Sequence, residues 1–336
     1  MSELDEFSAR LGRVVAQRIG LPGEVSEVRR LTGGATKATY DFRARINDEV
    51  RHFVLQISNP RAVRAGDPLG QLPRVVGGDD AALMMAAASS GVPVPEVKAV
   101  LVPEDGLGQG FITRFVGGET IARRLLREPE FANLRQGFAA QCGRILARIH
   151  AMEGTRLPFL QPFGAARQVA LYRAAYESFD APQPVIELGL RWAEDHLPEN
   201  ERRTVQHGDF RMGNLICDAH RIASVLDWEL AAFGDPMGDL GWLMIRTWRF
   251  GGAHPVGGIG TREDLFAAYE QESGHRVPRK AVRFWEGFGC IKWAIMCLMK
   301  GEEHRRTGTR TVEAFAIGRR MEEPLYDFLD LLAEGD

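Results

Sequence analysis

The chain has 336 residues, of which 45% are hydrophobic and 26% charged, and 42 Lys plus Arg stand against 45 Asp plus Glu for a net charge of -3. That length and composition fit a globular protein built as one large domain or two lobes. The balanced charge argues against the basic surface of a nucleic-acid binder but leaves room for a local basic pocket.

The N-terminus carries Glu3, Asp5 and Glu6 where a secretory signal would be basic and then apolar, and the longest apolar run, Trp293 to Met299, is short of a membrane span. Cys142, Cys217, Cys290 and Cys297 lack the close spacing of a zinc site or redox pair, so they are expected to be free, buried thiols. The expectation is a cytoplasmic protein with neither a nucleic-acid nor a membrane partner.

Leu4, Phe7, Leu11, Val14, Val15 and Ile19 recur at helical spacing, and Gly20, Pro22 and Gly23 stop that helix. Val25–Leu31, Ala38–Ile46 and Arg51–Ile57 read as three strands, the second alternating as a half-buried strand does, with turns at Gly33-Gly34 and Asn47-Asp48. Asn59 to Gly78 reads as a loop, Asp79 to Ser90 as a helix stopped by Gly91, and Val97–Val102 and Gly110–Phe115 as two further strands. Past a hinge at Gly117-Gly118 the pattern turns helical. Helices are predicted over Glu130–Met152, Ala165–Phe179, Pro184–His196, Arg262–Ser273, Pro278–Lys300 and Thr309–Leu332, with a strand-and-loop region, Val205 to Phe233, among them. The fold class is α+β: a small β-rich lobe over residues 1–117, then a larger, mainly helical lobe over 118–336. The natural ligand site is the cleft between lobes.

The chemistry concentrates in Val205 to Ile216, where His207, Asp209 and Asn214 form an H-x-D-x-x-x-x-N pattern. The same spacing occurs in the catalytic loop of protein kinases. Phosphoryl transfer needs one carboxylate to orient the incoming hydroxyl and accept its proton. It also needs hard oxygen ligands, an amide and a second carboxylate, for Mg²⁺. Asp227 ends the apolar strand Ile222–Leu226, thirteen residues after Asn214, and a hairpin of Leu215-Ile216 with Ser224–Leu226 would bring Asn214 and Asp227 to one face. Arg211, two residues past Asp209, is placed to stabilise charge on the transferred group. Asp239 is expected to accept backbone N–H bonds from the catalytic loop, His207 to be structural, and Asp235 to be a turn residue. Taken singly, each of these has an ordinary reading as a cap or turn. Their joint spacing is what points to chemistry. A hydrolase using Asp209 as nucleophile would leave Asn214 and Asp227 without a purpose.

With these motifs in place, His-Gly-Asp-Phe-Arg-Met-Gly-Asn (207–214), Val-Leu-Asp-Trp-Glu-Leu-Ala (225–231) and Gly-Asp-Pro-Met-Gly-Asp-Leu-Gly-Trp (234–242), the chain resembles the aminoglycoside phosphotransferase family within the protein-kinase-like fold. Arg211 and the Leu-Asp-Trp-Glu-Leu wording resemble the branch associated with acyl-CoA dehydrogenases. The resemblance implies a two-lobed fold and transfer of the γ-phosphoryl group of ATP or GTP to a hydroxyl of a small molecule. It implies Asp209 as catalytic base and Asn214 and Asp227 as Mg²⁺ ligands. It also implies a phosphate-covering turn over Thr32 to Thr36, with Gly33, Gly34 and Thr36 in it, and a hinge at Arg114 to Gly117, including Phe115, facing the adenine. It does not imply antibiotics as acceptors.

One position departs from the pattern. The third N-lobe strand carries Gln56 where the family has Lys or Arg, and its helix partner is an Asp from Asp79-Asp80, with Asp80 assigned to the site. A neutral amide brings no charge to the phosphates. Lys37 or Arg211 can supply the missing cation, although Lys37 also reads as an exposed turn lysine. Failing both, the chain is a pseudokinase-like module that binds a nucleotide or acyl ligand with weak or no transfer. On the acceptor side, the Gly-, Arg- and Trp-containing stretch from Arg246 to Gly260 reads equally as a lid or as a packed surface loop. Trp285, Lys292 and Trp293 read equally as pocket wall or as core. The scarcity of acids in these segments turns the reading from polycationic acceptors toward anionic or acyl-linked ones, and leaves the oligomeric state open.

Overall fold

A computed structural model describes residues 3–20, 25–31, 37–46, 49–59, 68–307 and 311–335. The chain begins with helix α1 (Glu3–Arg18), followed by strands β1 (Val25–Leu31), β2 (Lys37–Ile46) and β3 (Glu49–Ser58), helix α2 (Gly78–Ser89), and strands β4 (Val97–Val100) and β5 (Gly110–Arg114). The strands form an antiparallel sheet of order β1-β2-β3-β5-β4. The expected turns at Gly33-Gly34 and Asn47-Asp48 lie outside the described residues.

Strand alternation gives this sheet two chemically different faces. Phe42, Ala44, Phe53, Leu55 and Ile112 point one way and are sealed by Leu11, Val14 and Val15 of α1. Burial of each large side chain there stabilises the sheet by roughly 1.5–3 kcal/mol. The register pairs Lys37 with Ser58, Thr39 with Gln56, and Gln56 with Phe111, so Lys37 and Gln56 share the opposite face. That face meets α2, whose Leu83, Met84 and Ala87 are buried together with Phe111 in the core that runs on into the helical region.

The helical region comprises α3 (Ala122–Arg127), α4 (Ala132–His150), α5 (Ala165–Glu177), α6 (Pro184–Asp195), strands β6 (Thr204–Gln206), β7 (Leu215–Cys217), β8 (Ile222–Val225) and β9 (Ala232–Gly234), and helices α7 (Met237–Met244), α8 (Arg262–Ser273), α9 (Arg279–Thr307), α10 (Val312–Gly318) and α11 (Glu322–Ala333). Two elements differ from expectation beyond their boundaries. The helix predicted over Thr309–Leu332 is two helices. It breaks at Gly318, whose backbone packs on Gly301 too closely for a side chain, and it restarts ahead of Pro324. The short helix α3 was not predicted at all.

Packing aligns the parts that carry the site. A Cβ at Gly143 would run into the Leu265 backbone, so α4 and α8 meet backbone to backbone. After the hinge, Gly118 sits at φ +145°, and a Cβ there would lie 2.6 Å from Ile216. The next residue, Glu119, exchanges backbone hydrogen bonds with Cys217. The hinge is thereby fastened to the β7–β8 hairpin. The four cysteines are buried and free, as the sequence suggested. Among the described residues no helix is long and apolar enough to cross a membrane.

Candidate active site

The segment from His207 to Asn214 is held from below by carboxylates and carbonyls rather than by helix or sheet. Gly208 adopts φ +81° beneath the Leu230 carbonyl, a placement that excludes a side chain. Asp239, in the first turn of α7, accepts from the backbone N–H groups of His207 at 2.8 Å and Gly208 at 2.9 Å. Its Oδ2 also meets His150 Nε2 at 3.1 Å. Burial opposes the Asp239 charge, but the His150 hydrogen bond and the backbone donors outweigh it and hold the carboxyl below its usual range. Asp239 therefore does what was expected of it. His207 is fully buried and donates from Nε2 to the Leu226 carbonyl at 2.9 Å, while its Nδ1 accepts the Asp209 N–H at 3.2 Å. Burial pushes its pKa down, so it is a neutral structural bridge.

That bridge joins the two motifs. Leu226 N–H donates to the Asn214 carbonyl at 2.8 Å, and Leu215 pairs with Val225 across the hairpin. The register sets Asn214 beside Leu226, and Asp227 follows in a left-handed conformation, φ +64°. A non-glycine residue at positive φ is uncommon and tends to mark functional backbone. Asp209 receives three side-chain donors: Trp242 Nε1 at 2.7 Å, Asn214 Nδ2 at 2.7 Å and Arg211 Nε at 3.1 Å. Asn214 Nδ2 also donates to the Asp209 carbonyl at 2.9 Å, which leaves its side-chain oxygen as the free end of the amide. Trp242 was not anticipated as a partner of Asp209. Its position at the end of the Gly-Asp-Leu-Gly-Trp motif was the available signal.

Lys37, the first residue of β2, is 9% exposed, with Nζ 2.6 Å from Asp80 and 3.7 Å from Asp227. Burial opposes its charge, yet Asp80, Asp227 and Glu229 together hold its pKa above the ordinary value. The exposed-turn reading of Lys37 is thus overturned, because register and face turn it under the sheet. Gln56 lies on the same face, half-buried, and its amide makes no hydrogen bond among the described residues. Gly33, Gly34 and Thr36 lie outside the described residues.

Arg114 and Phe115 sit at the end of β5, but their N–H groups already donate to the Glu96 and His52 carbonyls at 2.9 and 3.1 Å. Their backbone donors are therefore spent within the lobe. Phe115 is 41% exposed and stacks on the His52 ring at 3.8 Å.

Whether a divalent cation fits was tested on the carboxylates. Burial, then Glu229 and, beyond Lys37, Asp209, hold Asp227 above the usual carboxylate range. The buried Glu229 Oε2 has no hydrogen-bond partner. Among the described residues no three His, Cys, Asp or Glu side chains stand at metal-holding distance. Mg²⁺ takes one or two carboxylates and completes its shell with phosphate oxygens and water. The free Asn214 side-chain oxygen and the Asp227 carboxylate, with Glu229 adding negative charge, are groups that would hold it.

On the other side of Asp209 the aromatic residues divide. Trp285 is core: it is 4% exposed and donates to Asp235 at 2.7 Å, which makes buried Asp235 an anchor and not merely a turn residue. Trp242, Trp248 and Trp293 cluster with centroids 4.9 to 6.4 Å apart. The Arg211 guanidinium lies 4.6 Å over Trp248, and Lys292 Nζ lies 4.6 Å over Trp242. Lys292 has no ion pair among the described residues, and burial lowers its pKa. In the 246–260 stretch Val256 is fully buried and Gly257 packs against Phe138 and Met212, while Arg246, Gly251, Ala253 and His254 are exposed.

Residues 27–280 match the model of a family described as the phosphotransferase enzyme family. Mouse acyl-CoA dehydrogenase family member 10 is 31% identical over 172 residues, 48% of this chain but only 16% of that protein. A Ralstonia eutropha structure assigned to the aminoglycoside phosphotransferases superposes with a TM-score of 0.72 at 19% identity, covering 97% of this chain and 98% of the other. The streptomycin–ATP ternary complex of APH(2″)-IIa gives 0.58 at 17% identity over 90% and 93%. At these identities the structural likeness establishes the two-lobed α+β fold.

Proposed function

Because the chain belongs to the phosphotransferase enzyme family, we propose that it moves the γ-phosphoryl group of ATP to a hydroxyl of a small molecule. The observation that carries this reading is the convergence of Asp209, Asn214 and Asp227 with a buried Lys37 from the opposite lobe. ATP is preferred to GTP because a structural neighbour is a complex with ATP.

In this reading Asp209 orients the acceptor hydroxyl and takes its proton, with Trp242 and Asn214 fixing the carboxylate in place. Arg211, paired with Asp209 here, swings to the transferred phosphoryl oxygens. Asn214 and Asp227 hold Mg²⁺, which neutralises charge on the phosphates when bound. Lys37 supplies the phosphate-side cation and is itself held by Asp80. Val116 and Gly117 offer backbone to the base, beside Arg114 and Phe115. Residues 1–117 form the nucleotide lobe and 118–336 the catalytic and acceptor lobe. The acceptor faces Trp242, Trp248, Trp293 and Lys292, a wall suited to an apolar or acyl-linked molecule bearing negative charge. The alternative, a pseudokinase-like module with weak or no transfer, rests on Gln56, and the buried Lys37 weighs against it.

The test is ADP release in a screen of hydroxyl metabolites, with Mg²⁺-ATP binding followed by thermal shift. Asp209→Asn is expected to reduce transfer by about 10²–10⁴-fold while preserving Mg²⁺-ATP binding. Wild-type turnover in that variant would sink the assignment.

A further inference from the structure

Beside the tryptophan wall lies a cavity of about 570 Å³ whose lining includes Arg123, Arg127, Arg246, Thr247, Phe250 and Arg320. Cavities of a few hundred Å³ are the size that hold small ligands. Four guanidiniums face it against two carboxylates, Glu323 and Asp327. In a chain of net charge -3 this is a local reversal of sign.

The four arginines are of two kinds. Arg246 is braced by Asp330 at 2.8 Å and Asp327 at 3.4 Å, and Arg320 by Glu323 at 2.7 Å. Arg123 and Arg127, one helical turn apart on α3, are exposed and have no ion pair or side-chain hydrogen bond among the described residues. Two fixed and two free guanidinium groups around one space match the several oxygens of a phosphate group, which guanidinium groups bind in pairs.

Phe250 supplies a second, independent observation. It lines the cavity at φ +49°, a conformation that a bulky side chain rarely adopts and that must be enforced by its surroundings. Its ring is 6.4 Å from Trp248, which in turn lies under the Arg211 guanidinium. The cavity is therefore joined to the catalytic loop by two aromatic rings.

We propose that this four-arginine cavity binds a phosphate ester carried by the acceptor, remote from the hydroxyl that is phosphorylated. The inference rests on the phosphotransferase reading for the word acceptor, but the site itself can be tested without it. The ester gives the molecule its charge, and the chain linking ester to hydroxyl lies along Phe250 and Trp248.

The experiment is calorimetric titration of the full chain with n-butyl phosphate and with inorganic phosphate, without divalent metal. Butyl phosphate is expected to bind more tightly than inorganic phosphate. The Arg123→Ser/Arg127→Ser double variant should weaken it at least tenfold. Arg124→Ser, on the same helix but paired with Glu128 and absent from the lining, should leave it unchanged. Saturating ADP should not displace it. Undetectable binding, displacement by ADP, or an equal loss in Arg124→Ser overturns the cavity assignment. Inorganic phosphate binding as tightly as the ester overturns the ester and leaves a free-anion site. A chain that binds butyl phosphate through Arg123 and Arg127 yet never binds Mg²⁺-ATP refutes the phosphotransferase reading and keeps the cavity, and the converse result does the reverse.

Discussion

The loop that carries Asp209 and the proposed phosphate clamp around Lys37 are built by different means. The loop from His207 to Asn214 carries its functional groups on one short run of chain, and distant partners, Asp239 (itself met by His150) and the Leu226 carbonyl, lock its shape. The clamp is non-local. Lys37 comes from one strand, Asp80 from a helix past a long connection, and Asp227 from the other lobe. A loop whose functional groups sit on one short run of chain tolerates little substitution. A clamp assembled by a sheet needs only a cation on the correct face. Lys37 on β2 and Gln56 on β3 lie on adjacent strands and one face, so either position brings a side chain under the sheet.

The comparison can be attacked at its strongest point first. Asp239→Ala leaves two buried backbone donors and His150 without an acceptor, and is expected to cost about 3–5 kcal/mol, read from the urea denaturation midpoint. A loss below about 1 kcal/mol would show that the loop holds its shape without the carboxylate. Next in size, Lys37→Met is expected to lower kcat/KM for ATP by about 10²–10³-fold with the fold retained. Adding Gln56→Lys to that variant tests transposition directly: recovery of most of the lost rate shows that the strand is immaterial, and no recovery shows that β2 has become the sole route to Asp80. Trp242→Phe keeps the ring and removes one hydrogen bond to Asp209, with an expected kcat loss of about tenfold or somewhat more and little change in KM for ATP. The smallest effect belongs to Gln56→Ala, within about threefold of wild type, as for a residue outside the core. If Gln56→Ala matched Lys37→Met, the clamp would lie on β3 after all.

Legibility followed the same division. The spacing of Asp209, Asn214 and Asp227 and the structural duty of His207 are readable because they rest on residues a few positions apart and on a hairpin with a clear apolar pattern, whereas the hold of Asp239, 31 and 32 positions from the N–H groups it accepts, is readable only from its place in the Gly-Asp-Leu-Gly-Trp segment. The burial of Lys37 was not readable. Beside a double glycine a lysine looks like turn decoration, and only the register of β2 against β3 turns it inward. Asp235 was underrated for a similar reason, since its partner Trp285 is fifty residues away. The burial of Gly257 and Gly260 depends on α4 packing beneath them, which no local composition announces. The terminal helix was drawn too long because apolar periodicity continued across Gly318.

The sequence by itself determined the order of elements, the α+β class and the residue types that phosphoryl transfer requires at Asp209, Asn214 and Asp227. Those follow from periodicity and short-range spacing, which covalent geometry translates directly into shape. Tertiary structure decided which cation is buried between Asp80 and Asp227, which tryptophan donates to Asp209, and where four arginines gather. Each of those depends on contacts between segments far apart in the chain. Their distances are set by how sheet, hinge and helices pack, and by the relief of burying a charge only where an opposite charge meets it.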